Sequence, residues 1–146
     1  MRAKHILSGI AGLALAGSLL AMPATALAEA MTYSVALDGA SEVPAVATTG
    51  SGVAEVTFDP ATKLLTWTVT FDGLSGDAAA AHFHGPAAPG TNAGVAVPID
   101  ITVTPITGSA TLTDEQAAEF TAGLWYVNIH TAANKGGEIR GWVLAE

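Results

Sequence analysis

Residues 53–71 read VAEVTFDPATKLLTWTVTF, and this stretch decides the class of fold. Apolar and polar residues alternate on both sides of the segment DPAT at 59–62, a pattern typical of β-strands with one buried face. Asp and Pro favour a turn, because an Asp side chain bonds nearby backbone N–H groups and the Pro ring restricts φ. We therefore predict a β-hairpin with strands at 52–58 and 64–71.

Six more short segments with the same period of two lie outward from this hairpin, separated by Gly, Pro, Asp and Asn. They predict further strands at 32–37, 80–84, 94–99, 109–112, 124–130 and 138–144. Seven or eight strands indicate an all-β fold, either an antiparallel β-sandwich or a flattened barrel. The segment 113–120 differs, since Thr113 and Gln116 match a capping box and predict one short helix.

The N-terminal 28 residues have the pattern of an export signal. A basic head precedes an apolar run over 6–22, and Ala26-Leu27-Ala28 is the small-x-small pattern that signal peptidase cuts. We predict a signal peptide over 1–28 that is cleaved after Ala28, a mature domain over 29–146, and a secreted or periplasmic location. A retained N-terminal membrane anchor is the alternative, and the Ala-x-Ala site and the glycine content favour cleavage over it.

The composition restricts the partners of the mature chain. Without the two basic residues of the head, three Lys and Arg remain against thirteen Asp and Glu, a net charge of −10. We therefore expect no nucleic-acid partner and no membrane association after signal cleavage. The chain has no cysteine, which excludes disulfides, thiolate metal ligands and cysteine nucleophiles.

Three histidines follow the signal segment, in the motifs HFH and YVNIHT. Side chains alternate between the two faces of a strand, so His82 and His84 share one face when Phe83 points into the core. The same rule applied to 124–130 buries Trp125, Val127 and Ile129 and turns three polar side chains outward, namely Tyr126, Asn128 and His130. All three histidines are thus predicted to lie on the outer, solvated face.

The last two strands are expected to form a hairpin through the loop 131–137. Ile139 and Val143 point inward in this arrangement, which leaves Glu138 and Arg140 on the other face together with Trp142. Glu138 would then lie beside His130, close enough to be a ligand or to orient the imidazole. Arg140 would guide an anion or pair with Glu138.

Three interpretations of the histidines are open: metal coordination, a structural hydrogen-bond cluster, and unconnected surface residues. For metal coordination the ligands are His82, His84 and His130. The candidates for further ligands or for orienting residues are Glu138, Arg140, Asn128 and Tyr126. Imidazoles with at most one carboxylate suit copper or zinc better than calcium or magnesium, which prefer oxygen ligands.

The same motifs resemble those of the CHRD domain, a family named after chordin and found in secreted bacterial proteins. The matching stretches are 37–59, 65–76, 80–97 and 123–143, and they include the motifs EVP, HFHGPA, YVNIHT and GGEIRG. The resemblance implies a secreted, antiparallel β-sandwich of the immunoglobulin-like, Greek-key type. It does not carry over the antagonism of bone morphogenetic proteins, because this chain lacks the cysteine-rich modules of chordin.

The HFH motif is also similar to the copper-ligand strand of copper, zinc superoxide dismutase. In that resemblance His82 and His84 match the H-x-H pair, and His130 matches a later copper ligand. The predicted mature domain has no further histidine for a bridging ligand or a zinc loop, and the chain lacks both disulfide cysteines. These departures argue against dismutase activity.

The expected function is that of an exported binding or structural module, whose partner is a metal ion or an extracellular protein. A small metalloenzyme of redox or hydrolytic type is the alternative. No catalytic residue is assigned, because neither histidine motif contains a serine nucleophile or a pair of carboxylates. Elsewhere we expect Glu42 to be solvated near the edge of the domain, with a role as a ligand as the alternative. We expect Trp67, Trp125 and Trp142 to serve in packing rather than as a carbohydrate platform.

Overall fold

A computed structural model describes residues 28–103 and 105–145. Residues 1–27 of the predicted signal peptide lie outside the described residues. The described elements are β1 (Met31–Asp38), β2 (Ser51–Asp59), β3 (Leu64–Asp72), β4 (Ala78–His84), β5 (Val95–Ile99), β6 (Ile106–Thr111), α1 (Asp114–Thr121), β7 (Tyr126–Thr131) and β8 (Ile139–Trp142). Among the described residues, no helix combines the length and the apolar character that crossing a membrane requires.

The eight strands form one antiparallel sheet in the order β5-β4-β7-β8-β1-β2-β3-β6. The end strands β5 and β6 contact each other, so the sheet is nearly closed into a barrel. This confirms the prediction of an all-β antiparallel fold with seven or eight strands and one short helix. Of the two predicted forms, the flattened barrel describes the continuous sheet.

The hairpin predicted around the turn at 59–62 is present as β2 and β3. Phe58 pairs with Leu65 next to the turn, and both side chains are buried. In the turn, the Asp59 carboxylate accepts hydrogen bonds from the Ala61 N–H at 2.9 Å and from the Thr62 hydroxyl at 2.8 Å. These local bonds hold the reversal, and the apolar alternation of the strands supplies the core.

The short helix covers part of the barrel core. Thr113 and Gln116 form the predicted capping box, with each side chain bonded to the other residue's backbone N–H. Phe120 is the buried residue of α1, and its ring contacts Tyr33 and Phe58 at centroid distances of 5.5 and 5.1 Å. The capping box fixes where the helix begins, and the Phe120 ring attaches the helix to the strands.

Most of the outer face of β4, β7 and β8 is buried, contrary to the prediction that it is solvated, and His82 and His130 on it are partly exposed. The predicted inward residues are buried, but so are His84, Tyr126, Asn128 and Arg140 on the opposite face. The loops 39–50 and 85–94 account for this, because the Asn92 side chain donates to the Val43 carbonyl at 2.9 Å and both loops contact the outer face. Consequently, the sheet has a second, polar packed surface in addition to the apolar core.

Candidate metal centre

The strand register brings the three histidines together. β4 and β7 are antiparallel neighbours in which His82 lies opposite Asn128 and His84 lies opposite Tyr126. His130 is two residues beyond Asn128, so its side chain is on the same face and diagonal to His82. One ligand nitrogen from each imidazole lies within 4.8 Å of the other two. The structure therefore contains a three-histidine cluster with the spacing of a group that could hold a metal ion.

Two of the imidazoles are oriented by backbone carbonyls. His84 Nδ1 lies 3.1 Å from the Ala93 carbonyl oxygen, and His130 Nδ1 lies 2.9 Å from the Lys135 carbonyl oxygen. A carbonyl can only accept, so each of these Nδ1 atoms carries the proton. In the neutral ring this leaves the lone pair on Nε2 of both His84 and His130.

The hydrogen bond between His82 and His130 follows from these tautomers. His82 Nδ1 lies 3.1 Å from His130 Nε2. Since His130 Nε2 has the lone pair, His82 Nδ1 must be the donor. In this pair of neutral rings the proton on His82 Nδ1 thus points at the lone pair of His130 Nε2.

One imidazole nitrogen in the cluster is buried without a partner. His84 Nε2 is inaccessible to solvent and makes no hydrogen bond among the described residues. An unpaired buried nitrogen costs free energy, so native proteins usually satisfy it with a donor, a water or an ion. His82 and His130 are partly exposed, which leaves the cluster reachable from solvent.

The pKa of each cluster histidine is below its usual value of 6.5. Burial is the main cause in all three, because it disfavours the charged imidazolium. The neighbouring His130 also lowers the pKa of His82, and Arg140 lowers the pKa of both His84 and His130. The rings are accordingly neutral at neutral pH, the form in which imidazole binds metals.

Behind His84 lies a buried stack of charged and aromatic groups. Tyr126 is parallel to the His84 ring at a centroid distance of 5.0 Å, and the Arg140 guanidinium lies 4.0 Å from the Tyr126 centroid. Arg140 pairs with Glu42 at 3.0 Å, and the Asn128 side-chain amide donates to Glu42 at 2.7 Å. Burial raises the pKa of Glu42 more than its contacts with Arg140 lower it.

The predicted position of Glu42 at a solvated edge is therefore wrong. Its side chain is buried because the loop 39–50 folds over β7 and β8 and places the carboxylate against Asn128 and Arg140. The sequence suggested a pairing of Arg140 with Glu138. Arg140 instead pairs with Glu42.

The carboxylate of Glu138 does not approach His130 either. The backbone N–H of Glu138 donates to the Ile129 carbonyl at 2.7 Å, as the predicted hairpin requires. The Glu138 side chain, however, turns toward Thr131, whose hydroxyl donates to the carboxylate at 2.7 Å. Gly137, with φ of +127°, allows the chain to enter β8 in this orientation. The rule that successive side chains point to opposite faces does not hold at Glu138, because this residue precedes the first residue of β8.

The Glu138 carboxylate accepts five hydrogen bonds in its actual position. The donors are the Thr48, Ser75 and Thr131 hydroxyls, the Ser75 N–H and the Asn134 side-chain amide, at 2.6 to 3.0 Å. Burial by itself raises the pKa of Glu138, but the bonds from Ser75, Thr48 and Thr131 outweigh it and hold the pKa at about 2. The residue is a buried anion at the junction of three loops.

Sequence reasoning missed two groups that orient the cluster, the carbonyls of Ala93 and Lys135. A backbone carbonyl is present at every position, so neither residue type carries a signal of this role. Asn92 was missed as well, although it donates to Val43 and accepts a 2.7 Å bond from Arg140. The segment GPAAPGTNA, rich in turn-forming residues, indicated a loop but not the surface that it covers.

This fold and this cluster define an antiparallel β-domain with three imidazoles at one point of its outer face. The chain belongs to the CHRD domain family, whose pattern matches residues 33–143. The matched range includes β2 to β8 and all three histidines, in agreement with the resemblance on HFHGPA and GGEIRG. Comparisons with the curated proteins and with the solved structures gave no match.

Proposed function

We propose that this chain is an exported CHRD-domain protein that binds copper or zinc through His82, His84 and His130, and that it acts outside the cytoplasm as a binding or structural module. The observation that carries the proposal is the convergence of three neutral imidazoles, one of which has a buried and unpartnered Nε2. The export signal in the sequence supports the location.

The tautomers indicate which atoms would bind the ion. Nε2 of His84 and Nε2 of His130 have their lone pairs available, because the backbone carbonyls retain the protons on Nδ1. His82 would bind through Nδ1 after its proton moves to Nε2. The 3.1 Å between His82 Nδ1 and His130 Nε2 is close to the separation of about 3.3 Å for two nitrogens at 2.0–2.1 Å from one tetrahedral ion.

The chemistry of the donors favours copper or zinc. Imidazole nitrogen suits these borderline ions, whereas calcium and magnesium prefer sets of carboxylate, carbonyl and water oxygens. The nearest buried carboxylates, Glu42 and Glu138, are already bonded to other groups. The site therefore offers three nitrogens and no carboxylate.

Calorimetric titration of the chain from residue 29 with Cu²⁺ and with Zn²⁺ tests the proposal, with Mg²⁺ and Ca²⁺ as control ions. We expect one equivalent of Cu²⁺ or Zn²⁺ to bind to the wild type. His84→Asn and His130→Asn are matched variants, because an Asn amide replaces the Nδ1 donor to the carbonyl but supplies no Nε2 ligand. Each should bind the metal at least about 10-fold more weakly.

Two results would contradict the metal proposal. The first is a wild type that binds neither copper nor zinc, and the second is metal binding that both Asn variants retain at full affinity. A circular dichroism spectrum of each variant shows whether its fold is intact.

The number of ligands favours a second candidate function, a small metalloenzyme. Structural zinc sites usually have four protein ligands, whereas catalytic sites have three and leave a position for water or substrate. His82 and His130 are partly exposed, so such a position would be reachable. Binding of azide or cyanide to the copper-loaded protein, followed by substrate turnover, distinguishes this candidate from a closed binding site.

A further inference from the structure

The two carbonyls that orient the cluster belong to two different loops. Ala93 lies in the loop 85–94 between β4 and β5, and Lys135 lies in the loop 132–138 between β7 and β8. Lys135 is exposed, so no burial of its own side chain holds its carbonyl against His130. The position of each carbonyl depends on what anchors its loop.

Arg140 anchors the loop 85–94. Its guanidinium donates to the Thr91 carbonyl at 3.3 Å and to the Asn92 side-chain oxygen at 2.7 Å. The next residue, Ala93, donates its N–H to the Tyr126 hydroxyl at 3.1 Å and presents its carbonyl to His84. Three consecutive residues of a largely exposed loop are thereby attached to the outer face of the sheet.

Glu138 anchors the loop 132–138 through Asn134. The carboxylate accepts from the Asn134 amide at 3.0 Å and from the Thr131 hydroxyl at 2.7 Å. The Asn134 carbonyl accepts from the N–H groups of Thr131 at 3.3 Å and Gly137 at 3.1 Å, which closes a turn around Lys135. This turn presents the Lys135 carbonyl to His130.

We propose that Glu138 and Arg140, the two buried charges on either side of Ile139, are positioning residues for the metal site. Arg140 acts on His84 through the Ala93 carbonyl, and Glu138 acts on His130 through the Lys135 carbonyl. This inference rests on the proposed metal function for its purpose, but the orientation of the rings exists in the metal-free protein and can be tested there.

The physical reason is tautomer selection. A carbonyl held at hydrogen-bond distance keeps the proton on Nδ1, and outer hydrogen bonds of this kind are typically worth 10- to 100-fold in metal affinity. A released loop would let the ring rotate and populate the other tautomer, which removes the lone pair from Nε2. His82, which has no carbonyl partner among the described residues, should respond to neither anchor directly.

The test uses loop residues, because substitution of the buried charges themselves would endanger folding. Asn92→Ala removes the acceptor for Arg140, and Asn134→Ala removes the donor to Glu138. Thr62→Ala is the matched control, since Thr62 is an exposed loop residue that bonds a local carboxylate in the turn after β2. Nitrogen NMR of the imidazoles reports the tautomers of the metal-free proteins above the usual histidine pKa, and titration with Zn²⁺ reports affinity.

The expected result is selective. Asn92→Ala should lower the fraction of Nδ1-protonated His84 and leave His130 unchanged. Asn134→Ala should lower the fraction of Nδ1-protonated His130 and leave His84 unchanged. Each variant should bind Zn²⁺ about 10-fold more weakly than the wild type, while Thr62→Ala changes neither measurement.

Unchanged tautomers in both Asn variants, or equal changes of both histidines in each variant, would overturn the inference. A wild type that binds no metal would refute the proposed function alone, because the tautomer measurement does not need metal. Arg140→Lys is a second variant of the anchor itself; it keeps the charge but not the planar fork, and it should shift the His84 tautomer in the same direction as Asn92→Ala.

Discussion

Tyr126 separates the imidazole cluster from a buried cation. One face of its ring stacks on His84 with 3° between the planes, and Arg140 lies 4.0 Å from its centroid. A guanidinium so near the proposed metal site would repel a divalent cation, but Glu42 pairs with Arg140 at 3.0 Å and offsets the charge. At the residue scale, the local electrostatics therefore depend on an ion pair that is itself nearly inaccessible to solvent.

The Glu42 carboxylate should be essential for stability. Glu42→Gln leaves the buried Arg140 without its counter-charge, which we expect to lower the free energy of unfolding by about 3–5 kcal/mol. Denaturant unfolding measures the loss. Glu55→Gln is the matched control, because Glu55 is an exposed glutamate that accepts one hydrogen bond from Ser34. Equal effects of the two substitutions would show that the buried pair contributes no more than a surface contact.

Glu138 should give the stability a dependence on acid pH. Its folded pKa of about 2 is below the usual 4.5, so its contribution is fully present above about pH 4.5 and is lost as the pH falls toward 2. We expect the difference in the free energy of unfolding between the wild type and Glu138→Gln to be about 1.5–3 kcal/mol near neutral pH. That difference should shrink through this acid window, and a constant difference would contradict the assigned pKa.

At the scale of elements, the β7–β8 hairpin determines which residues can meet. Asn128 pairs with Arg140 and Ile129 with Ile139, so the hairpin sets apolar residues on the core side and the polar pair on the outer side. The turn that enters β8 then reverses the expected direction of Glu138. The direction of Glu138 depends on Gly137, which has an unusual backbone conformation, whereas the preceding Gly136 does not.

The adjacent glycines of this turn offer a matched comparison. Gly137 has φ of +127°, and an added methyl group there would collide with Asn128 and Glu42, whereas one at Gly136 would meet no atom within 4 Å. Gly137→Ala should lower the free energy of unfolding by about 1–3 kcal/mol. Gly136→Ala should change it by less than about 0.5 kcal/mol. Thermal or denaturant unfolding of both variants decides the matter, and similar effects would refute this account of the turn.

At the scale of the whole molecule, the sheet separates two kinds of packing. The barrel interior is apolar, with residues such as Val56, Phe83 and Ile129 fully buried. The outer face of β4, β7 and β8 is polar and is covered by the loops 39–50 and 85–94. The histidine cluster lies on this second surface, so the charged groups near it can be held rigidly without disturbing the core.

The sequence predicted the elements better than it predicted their surroundings. The hairpin around Asp59, the capping box at Thr113 and the common face of His82, His84 and His130 follow from contacts within a few residues or from strand alternation. The predicted solvation of that face was wrong. Sequence patterns give the direction of a side chain in a strand, but they do not show whether a distant loop returns to cover it.

By itself, then, the sequence determined an antiparallel all-β domain of the CHRD family and the strand face on which its histidines lie, because period-two alternation and turn chemistry are local. Only the tertiary structure decided the partners of those histidines. Glu42 reaches Asn128 across 86 residues, and Arg140 reaches Thr91 across 49. Such contacts form when the sheet closes and the loops pack on it, and the carbonyls that orient His84 and His130 have no side chain by which the sequence could indicate them.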